Sequence, residues 1–239
     1  MYYESFGSGR PIIFLPCWGG DNGEARDIHE PVFADREGWR RIYVDPPGTN
    51  HRPGDPNITD QDGMLDAIAA TIAEAVGDEP YAVAGTSAGG LHARGLIRRY
   101  PSRVLGLLLR VPGVVVDRGL RTLPTDEYLR KTPYWQVKQD QYYDPAELSA
   151  DLEFLGRIQA DPASYGLRDD PSLRFERPTL IVTGRQDTMT GYADAWGLLD
   201  DYPRATFAVL DQEDHDLPVR RPALYHALVA DWLDRMEVS

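Results

Sequence analysis

A serine flanked by glycines is the side chain of this sequence best suited to nucleophilic chemistry. The pattern Gly85-Thr-Ser-Ala-Gly89 follows an apolar run at residues 81–84 that predicts a buried strand. After the pattern, residues 91–100 have the apolar spacing of a helix. A Gly-x-Ser-x-Gly turn between a strand and a helix strains its serine and lifts the hydroxyl out of the sheet. We therefore predict that Ser87 is a nucleophile; a chance match in a flexible loop is the alternative.

A serine nucleophile requires a general base, and the base requires an acid that orients it. His215 is the preferred base because it lies in the loop between the last predicted strand and the last predicted helix. Asp187 follows another strand, where its carboxylate would hold the His215 ring in the required tautomer. Taken alone, Asp187 is more simply explained as a turn residue. The chain order Ser87, Asp187, His215 nevertheless favours a catalytic triad.

Other side chains compete for these roles. His29 and His51 lie in predicted polar loops, and His92 and His226 lie on predicted helices. A single histidine on a helix is more often a structural or surface residue than a catalytic one. Cys17 is a second candidate nucleophile, but it has no histidine near it in sequence, so we interpret it as a small packed residue.

The elements that must position these residues alternate between strand and helix. The predicted strands are residues 1–5, 11–15, 39–44, 81–84, 104–109, 178–183 and 205–210, and the predicted helices are residues 60–76, 91–100, 191–199 and 221–236. This alternation predicts an α/β fold with a mostly parallel sheet and helices on both faces. Its site is expected beyond the carboxyl ends of the strands. Gly7-Ser-Gly9 predicts a hairpin between the first two strands.

The pattern changes between Pro112 and Arg177. This stretch holds many proline, tyrosine and charged residues, and it predicts helices near residues 125–139 and 145–160 but no strand. Because it interrupts the sheet between two strands, we interpret residues 112–177 as a helical lid. The core is then formed by residues 1–111 and 178–239.

Five segments resemble the α/β-hydrolase superfamily, and the resemblance covers nearly the whole chain. They are the opening hairpin at residues 3–15, an Asp-x-Pro-Gly turn at Asp45-Pro-Pro-Gly48, the elbow at Gly85-Thr-Ser-Ala-Gly89, the acid loop at Gly184-Arg-Gln-Asp187 and the histidine loop at Asp214-His215. The resemblance implies that the backbone N–H groups of Trp18 and Ala88 form an oxyanion hole. Residues 16–23 predict a glycine-rich loop. The sequence departs from the family there at Pro16-Cys17, where His-Gly is usual, and Gly19 and Gly20 are expected to restore the turn.

These residues and the resemblance together predict a serine hydrolase that cleaves an ester, thioester or lactone through an acyl-enzyme on Ser87. Related epoxide and haloalkane hydrolases carry a carboxylate where Ser87 stands, so those activities are not expected. Acyl transfer, carbon–carbon bond hydrolysis and ligand binding without turnover stay open, because fold and triad do not separate them. The sequence shows no metal-ligand cluster and no nucleotide-binding loop, so no metal or cofactor is expected.

Substrate contacts are sought at the edge of the sheet and in the lid. Arg110 ends an apolar strand, where its guanidinium would bind a substrate carboxylate or pair with a lid carboxylate such as Asp117. Among the lid aromatics, Tyr134 and Trp135 are expected to shape the pocket.

Length and charge bound the class of protein. The chain has 239 residues, a net charge of -13 and one cysteine, which fit a single globular domain without an intrachain disulfide. The negative charge argues against nucleic acid and anionic membranes as partners. No signal peptide and no apolar run of membrane-spanning length is recognised. A cytoplasmic protein with a small-molecule substrate is expected; the sequence does not indicate its oligomeric state.

Overall fold

A seven-stranded sheet organises the computed structural model of this chain, which describes residues 2–125, 135–168 and 174–237. The strands are β1 (Tyr2–Phe6), β2 (Arg10–Leu15), β3 (Trp39–Asp45), β4 (Tyr81–Thr86), β5 (Val104–Arg110), β6 (Thr179–Gly184) and β7 (Ala205–Leu210). Their order is β1-β3-β2-β4-β5-β6-β7, and every neighbouring pair except β1 with β3 is parallel. The predicted α/β class with a mostly parallel sheet is confirmed.

Helices accompany the strands along the chain. They are α1 (Asn22–His29), α2 (Gln61–Val76), α3 (Ala88–Arg99), α4 (Trp135–Lys138), α5 (Asp144–Ser149), α6 (Leu152–Gln159), α7 (Pro162–Tyr165), α8 (Ala193–Trp196) and α9 (Pro222–Glu237). Short 3-10 turns lie at Glu30–Phe33, Arg118–Leu120 and Gly197–Asp200, and a π-helical turn lies at Gln139–Tyr143. Among the described residues, no helix is both long enough and apolar enough to span a bilayer.

Side chains that alternate along the strands divide the core into two layers. On β2, Ile13 and Leu15 belong to the layer that contains residues of α2 and α3, whereas Ile12 and Phe14 belong to the layer of α1 and α9. This period of two is that of a strand covered on both faces. Because β2, β4, β5 and β6 are parallel, their carboxyl ends meet at one edge of the sheet, and the loops that follow them converge there.

The predicted hairpin between the first two strands is wrong. β3 lies between β1 and β2, and β1 pairs with β3 in antiparallel orientation. Gly7 and Gly9 have φ angles of 69° and 107°, and a Cβ on Gly9 would overlap the backbone of Gly38 at the start of β3. The two glycines therefore carry the chain past β3. Local sequence does not distinguish such a crossing from a two-strand turn.

Part of α1 lies where the sequence predicts only a glycine-rich loop. The carboxylate of Asp21 accepts the N–H of Gly23 at 2.8 Å and caps the helix. Asp45, at the end of β3, accepts both the backbone N–H and the side-chain amide of Asn22, at 2.8 and 3.0 Å. The Asp-Pro-Pro-Gly turn thus determines where α1 begins, through a contact that is distant in sequence.

The segment between β5 and β6 is helical and contains no strand in its described parts. The first helix predicted there, residues 125–139, falls largely on residues 126–134, which lie outside the described residues. The second, residues 145–160, is wrong as a single helix, because α5 ends at Ser149 and α6 starts at Leu152. Asp151 causes the break by accepting the N–H groups of Phe154 and Gly54. That residues 112–177 act as a lid on the core stays a prediction.

Candidate active site

The turn around Ser87 has the strained geometry that its sequence predicts. Ser87 lies between β4 and α3 with φ 53° and ψ -113°, a conformation that non-glycine residues rarely adopt. A Cβ on Gly85 would overlap the backbone of Gly89, and one on Gly89 would lie 2.5 Å from the carbonyl oxygen of Pro16. Only glycine permits this close approach of β4, α3 and the loop after β2. The turn therefore holds the Ser87 hydroxyl at the carboxyl edge of the sheet.

Three residues from separate loops form one hydrogen-bonded chain at this edge. The Oγ of Ser87 lies 3.1 Å from Nε2 of His215, and Nδ1 of His215 lies 3.1 Å from Oδ2 of Asp187. A carboxylate only accepts hydrogen bonds, so Nδ1 carries the proton and Nε2 presents its lone pair to Ser87. Asp187 is held in turn by the N–H groups of Met189 and Thr190 and by the Thr190 hydroxyl, which lies 2.7 Å from Oδ2.

The charges of this chain shift both pKa values in the directions that favour an ion pair. Burial acts to raise the pKa of Asp187, but the neighbouring His215 and the hydrogen bonds from His215 and Thr190 lower it to about 2. Burial acts to lower the pKa of His215, yet the Asp187 carboxylate outweighs it and raises that pKa. Asp187 is therefore ionised at neutral pH and stabilises a proton on His215.

The two residues predicted to supply an oxyanion hole are Trp18 and Ala88. Trp18 and Ala88 line the same cavity as Ser87. Ala88 begins α3, so its N–H is one of those that have no acceptor within the helix. The loop after β2 turns tightly, with the N–H of Gly20 donating to the carbonyl of Cys17 at 3.1 Å and Gly19 at φ 75°. These two glycines supply the turn as expected; the role of the two N–H groups stays a prediction.

A cavity of about 940 Å³ opens over Ser87. Its volume is that of a site for a small organic molecule. The core contributes Cys17, Trp18, Ser87, Ala88, Thr190 and His215 to its walls, and the segment between β5 and β6 contributes Val115, Arg121, Tyr143, Leu155 and Tyr165. Substrate contacts therefore come from both parts of the chain.

More than half of the chain matches a known protein family. A family model of the alpha/beta hydrolase fold matches residues 10–152. The chain belongs to this family. In α/β-hydrolase terms, the matched range contains the strand before the Trp18 loop, the Asp45 turn and the Ser87 elbow, while Asp187 and His215 lie beyond it.

Solved structures show the same α/β-hydrolase fold over the whole chain. An alpha/beta superfamily hydrolase from Oenococcus oeni PSU-1 has a TM-score of 0.85 at 23% identity, covering 98% of this chain and 96% of that one. The esterase EaEST from Exiguobacterium antarcticum has a TM-score of 0.75 at 17% identity, covering 98% and 95%. At these identities the likeness shows the fold.

A curated relative is much longer than this α/β-hydrolase. The AMB antimetabolite synthetase AmbE of Pseudomonas aeruginosa is 29% identical over 203 residues. That match covers 78% of this chain and 9% of the synthetase. The chain therefore spans less than a tenth of the length of this relative.

Arg110 does not reach the cavity, which corrects the prediction of a substrate contact. Its guanidinium is 0% exposed. It forms a two-point ion pair with Glu24 of α1 and also donates to the carbonyl of Leu217. Asp117, the lid carboxylate considered as its partner, instead accepts the N–H of Gly119. The sequence did not predict the pairing with Glu24 because residues 16–23, which include the start of α1, have the pattern of a loop.

Glu24 joins the core to the segment between β5 and β6. Besides Arg110, its carboxylate accepts Lys138 Nζ at 2.6 Å and the Tyr143 hydroxyl at 3.2 Å. Burial acts to raise the pKa of Glu24, but the charges of Arg110 and Lys138 hold it well below its ordinary value. Because Arg110 also donates a hydrogen bond to the carbonyl of Leu217, this cluster contacts the loop that contains His215.

Cys17, His92 and His226 have surroundings that indicate structural roles. Burial, together with the Glu24 charge, raises the pKa of Cys17 to about 12, so it is a neutral thiol. His92 bonds Gln61 at 2.7 Å, and burial lowers the pKa of His92 to about 4. His226 bonds a backbone carbonyl of α1 at 2.9 Å.

His29 is not the loop residue that the sequence predicts. It ends α1, buried between the carbonyl of Ala25 at 2.7 Å and the Tyr225 hydroxyl at 2.8 Å. Burial and the nearby Arg110 charge lower its pKa to about 3. A neutral imidazole on these partners serves packing between α1 and α9.

Two charged residues of the cavity, Asp216 and Arg121, are not predicted from the sequence. Asp216 follows His215 and lines the cavity, where burial and the Asp214 charge raise its pKa to about 6. Arg121 lines the cavity from the stretch after β5. The proximity of Asp216 to His215 in sequence was an available signal, whereas nothing in the sequence separates Arg121 from the other charged residues of its segment.

The two lid aromatics predicted to shape the pocket cannot be placed in it. Tyr134 lies outside the described residues, as does the side chain of Trp135.

Within residues 2–125, 135–168 and 174–237, no group of three or more histidine, cysteine, aspartate and glutamate side chains is arranged to hold a metal ion.

Proposed function

We propose that this α/β-hydrolase is a serine hydrolase that cleaves an ester, thioester or lactone of a small organic molecule. One observation carries the proposal: Ser87, His215 and Asp187 form a continuous hydrogen-bonded chain in the wall of a cavity. Nucleophile, base and orienting acid in hydrogen-bond contact are the arrangement that acyl transfer to serine requires. The esterase among the structural neighbours supports the same reaction class by analogy of fold.

Acylation is the first half of the proposed reaction. Ser87 Oγ attacks the carbonyl carbon while its proton passes to Nε2 of His215. The carbonyl oxygen becomes an oxyanion, which the N–H groups of Trp18 and Ala88 stabilise. The bond to the leaving group then breaks, and His215 returns the proton to the departing alcohol or thiol. Asp187 stabilises the positive charge that His215 carries between these two transfers.

Deacylation repeats the same steps with water. His215 takes a proton from a water molecule, whose oxygen attacks the acyl carbon on Ser87. The bond to Ser87 Oγ breaks, and His215 returns the proton to the serine. The carboxylic acid leaves, and the site regains its starting state.

A panel of uncharged esters, thioesters and lactones, combined with a fluorophosphonate that labels reactive serines, tests this function. We expect a fluorophosphonate to label Ser87, identified by peptide mass spectrometry, and to abolish release of nitrophenol from short-chain p-nitrophenyl esters. Thioesters and lactones in the same panel define the bond that is cleaved fastest. Labelling without turnover of any of these substrates would indicate a ligand-binding protein. A product ester formed with an added alcohol, in place of the free acid, would indicate acyl transfer.

Asp187→Asn is expected to change the pH dependence of this activity. In the native enzyme, kcat/KM falls as pH drops through the raised pKa of His215, because the imidazolium cannot accept the Ser87 proton. Removing the carboxylate charge lowers that pKa, so the acidic limb should move to lower pH while kcat falls by about 10⁴-fold. A pH profile of kcat/KM measures both changes.

Asp211→Asn is the matched control for this experiment. Asp211 is an exposed carboxylate in the loop after β7 that also contains His215, and it accepts a hydrogen bond from the Gln186 side chain at 3.0 Å. Its replacement should leave the acidic limb in place. An unchanged limb in Asp187→Asn would show that Asp187 does not set the pKa of the base.

A further inference from the structure

Arg121 is an arginine of the cavity wall whose hydrogen bonds to the described residues all go to uncharged groups. Its side chain is half-buried and lines the cavity together with Ser87. Nε donates to the carbonyl of Val115 at 2.8 Å, Nη2 to that of Val116 at 3.1 Å and Nη1 to that of Met189 at 2.7 Å. A guanidinium has five N–H donors, so these three bonds leave two donors for a ligand.

The positive charge of Arg121 has no counter-ion among the described residues. The carboxylates that act on it, Asp187 and Asp194, have other partners. Asp187 binds His215 at 3.1 Å, and Asp194 accepts the N–H of Thr122 at 2.8 Å. Burial lowers the pKa of Arg121, and the charge of Arg118 acts in the same direction. A partly desolvated charge without a counter-ion is costly, and an anionic ligand relieves that cost.

Arg110 shows the opposite arrangement in the same protein. Its charge is neutralised by the Glu24 carboxylate, which both terminal nitrogens contact. Burial acts to lower the pKa of Arg110, but Glu24 outweighs it and raises that pKa. Within the described residues, the fold thus supplies a carboxylate to Arg110, outside the cavity, and none that pairs with Arg121, in the cavity wall.

The carboxylates that line the cavity differ in their exposure. Asp214 and Asp216 line it from the histidine loop, whereas Asp117 and Glu147, on the segment between β5 and β6, are exposed, so solvent screens their charges. Arg121 is bound instead to Met189 of the acid loop and to the stretch after β5. An anionic group is repelled at the histidine loop and attracted at Arg121, so it is directed to the arginine.

We propose that Arg121 binds a carboxylate in the acyl part of the substrate, remote from the bond that is cleaved. This inference rests on the proposed serine hydrolase function and names its substrate class: esters or thioesters of acids that carry a second carboxylate. The acyl part is assigned because it stays in the cavity through both chemical steps. Two free guanidinium donors suit the two oxygens of a carboxylate.

Matched esters test this assignment. The p-nitrophenyl monoester of adipic acid carries a terminal carboxylate, and the p-nitrophenyl ester of adipamic acid replaces it with a neutral amide of the same shape. We expect the native enzyme to hydrolyse the anionic ester with a kcat/KM about 10- to 100-fold higher. In Arg121→Met this ratio should fall to about 1, because the charge-assisted bonds are lost. The p-nitrophenyl monoesters of longer and shorter dicarboxylic acids then show which chain length matches the distance between Ser87 and Arg121.

Two further variants separate the binding role from a structural one. Arg118→Met removes an exposed arginine of the same cavity, and the ratio should change by no more than about twofold, because solvent screens that charge. Arg121→Lys keeps the charge but not the planar donors, so it should keep part of the ratio. It also provides a folded variant if the loss of three carbonyl bonds unfolds Arg121→Met.

The outcomes distinguish this inference from the proposed function. Equal loss of both activities in both Arg121 variants, with the ratio intact, would show that Arg121 only supports the acid loop and would overturn the inference. A native ratio near 1 with Ser87-dependent turnover would overturn it too, leaving the serine hydrolase function in place. If neither ester is hydrolysed faster than by Ser87→Ala, the proposed function itself fails.

Discussion

Ser87→Ala is expected to lower kcat for the best ester of the panel by at least about 10³-fold. The variant removes the attacking oxygen but keeps the Cβ, so the backbone strain of the turn, whose φ is 53°, is unchanged. Circular dichroism and the melting temperature should therefore match the native protein. Steady-state kinetics at saturating substrate measure the loss. Full activity in this variant would exclude an acyl-enzyme on Ser87.

A double replacement tests whether Ser87 and His215 act as one unit. The two side chains are in hydrogen-bond contact at 3.1 Å, and a base without its nucleophile has no catalytic step to perform. Adding His215→Ala to Ser87→Ala should therefore cost almost no further activity. Losses that multiply would show that His215 acts elsewhere. Cys17→Ala is the control for labelling, and a fluorophosphonate should still modify Ser87 in it.

Glu24→Ala is expected to lower the free energy of unfolding by about 3–5 kcal/mol, which is the usual cost of removing one partner of a buried ion pair. The replacement leaves Arg110, 0% exposed, and Lys138, 5% exposed, without their shared carboxylate. Urea unfolding monitored by tryptophan fluorescence measures the change. Asp27→Ala is the matched control on α1: its exposed carboxylate pairs with Arg26, so about 1 kcal/mol or less is expected.

The pH dependence of stability provides an independent test of Glu24. Its folded-state pKa lies below the ordinary value of 4.5, so the folded state binds fewer protons there than the unfolded state. This contribution is complete above pH 4.5 and is lost as pH falls below it. Native protein should therefore lose stability in acid more steeply than Glu24→Ala. Parallel acid profiles would contradict a buried ionised carboxylate at this position.

Much of the active site is predictable because its residues lie next to strong local signals. Ser87 sits inside a five-residue pattern between a strand and a helix, and Asp187 and His215 each follow an apolar strand. Parallel strands bring their carboxyl ends to one edge, so three loops distant in sequence meet there. The triad roles assigned to these side chains still rest on the experiments described above.

The charged residues around the site show where sequence reasoning ends. Arg110, Arg121 and Glu24 carry no local signal that separates a buried ion pair from a cavity contact. Their roles depend on the neighbours that other elements bring: α1 supplies a carboxylate to Arg110, while among the described residues carbonyl groups accept the hydrogen bonds of Arg121. Such pairings are decided by tertiary packing, because one turn of chain offers no distant partner.

Local patterns in the sequence were sufficient to predict the α/β class, the positions of the seven strands and the three residues of the hydrogen-bonded chain. These follow from apolar periodicity and glycine placement, which act within a few residues. The pairing of β1 with β3, the helix at Asn22–His29 and the break at Asp151 are evident only in the folded chain. Each of these depends on hydrogen bonds between segments far apart in sequence, and no local pattern encodes which distant group will donate or accept them.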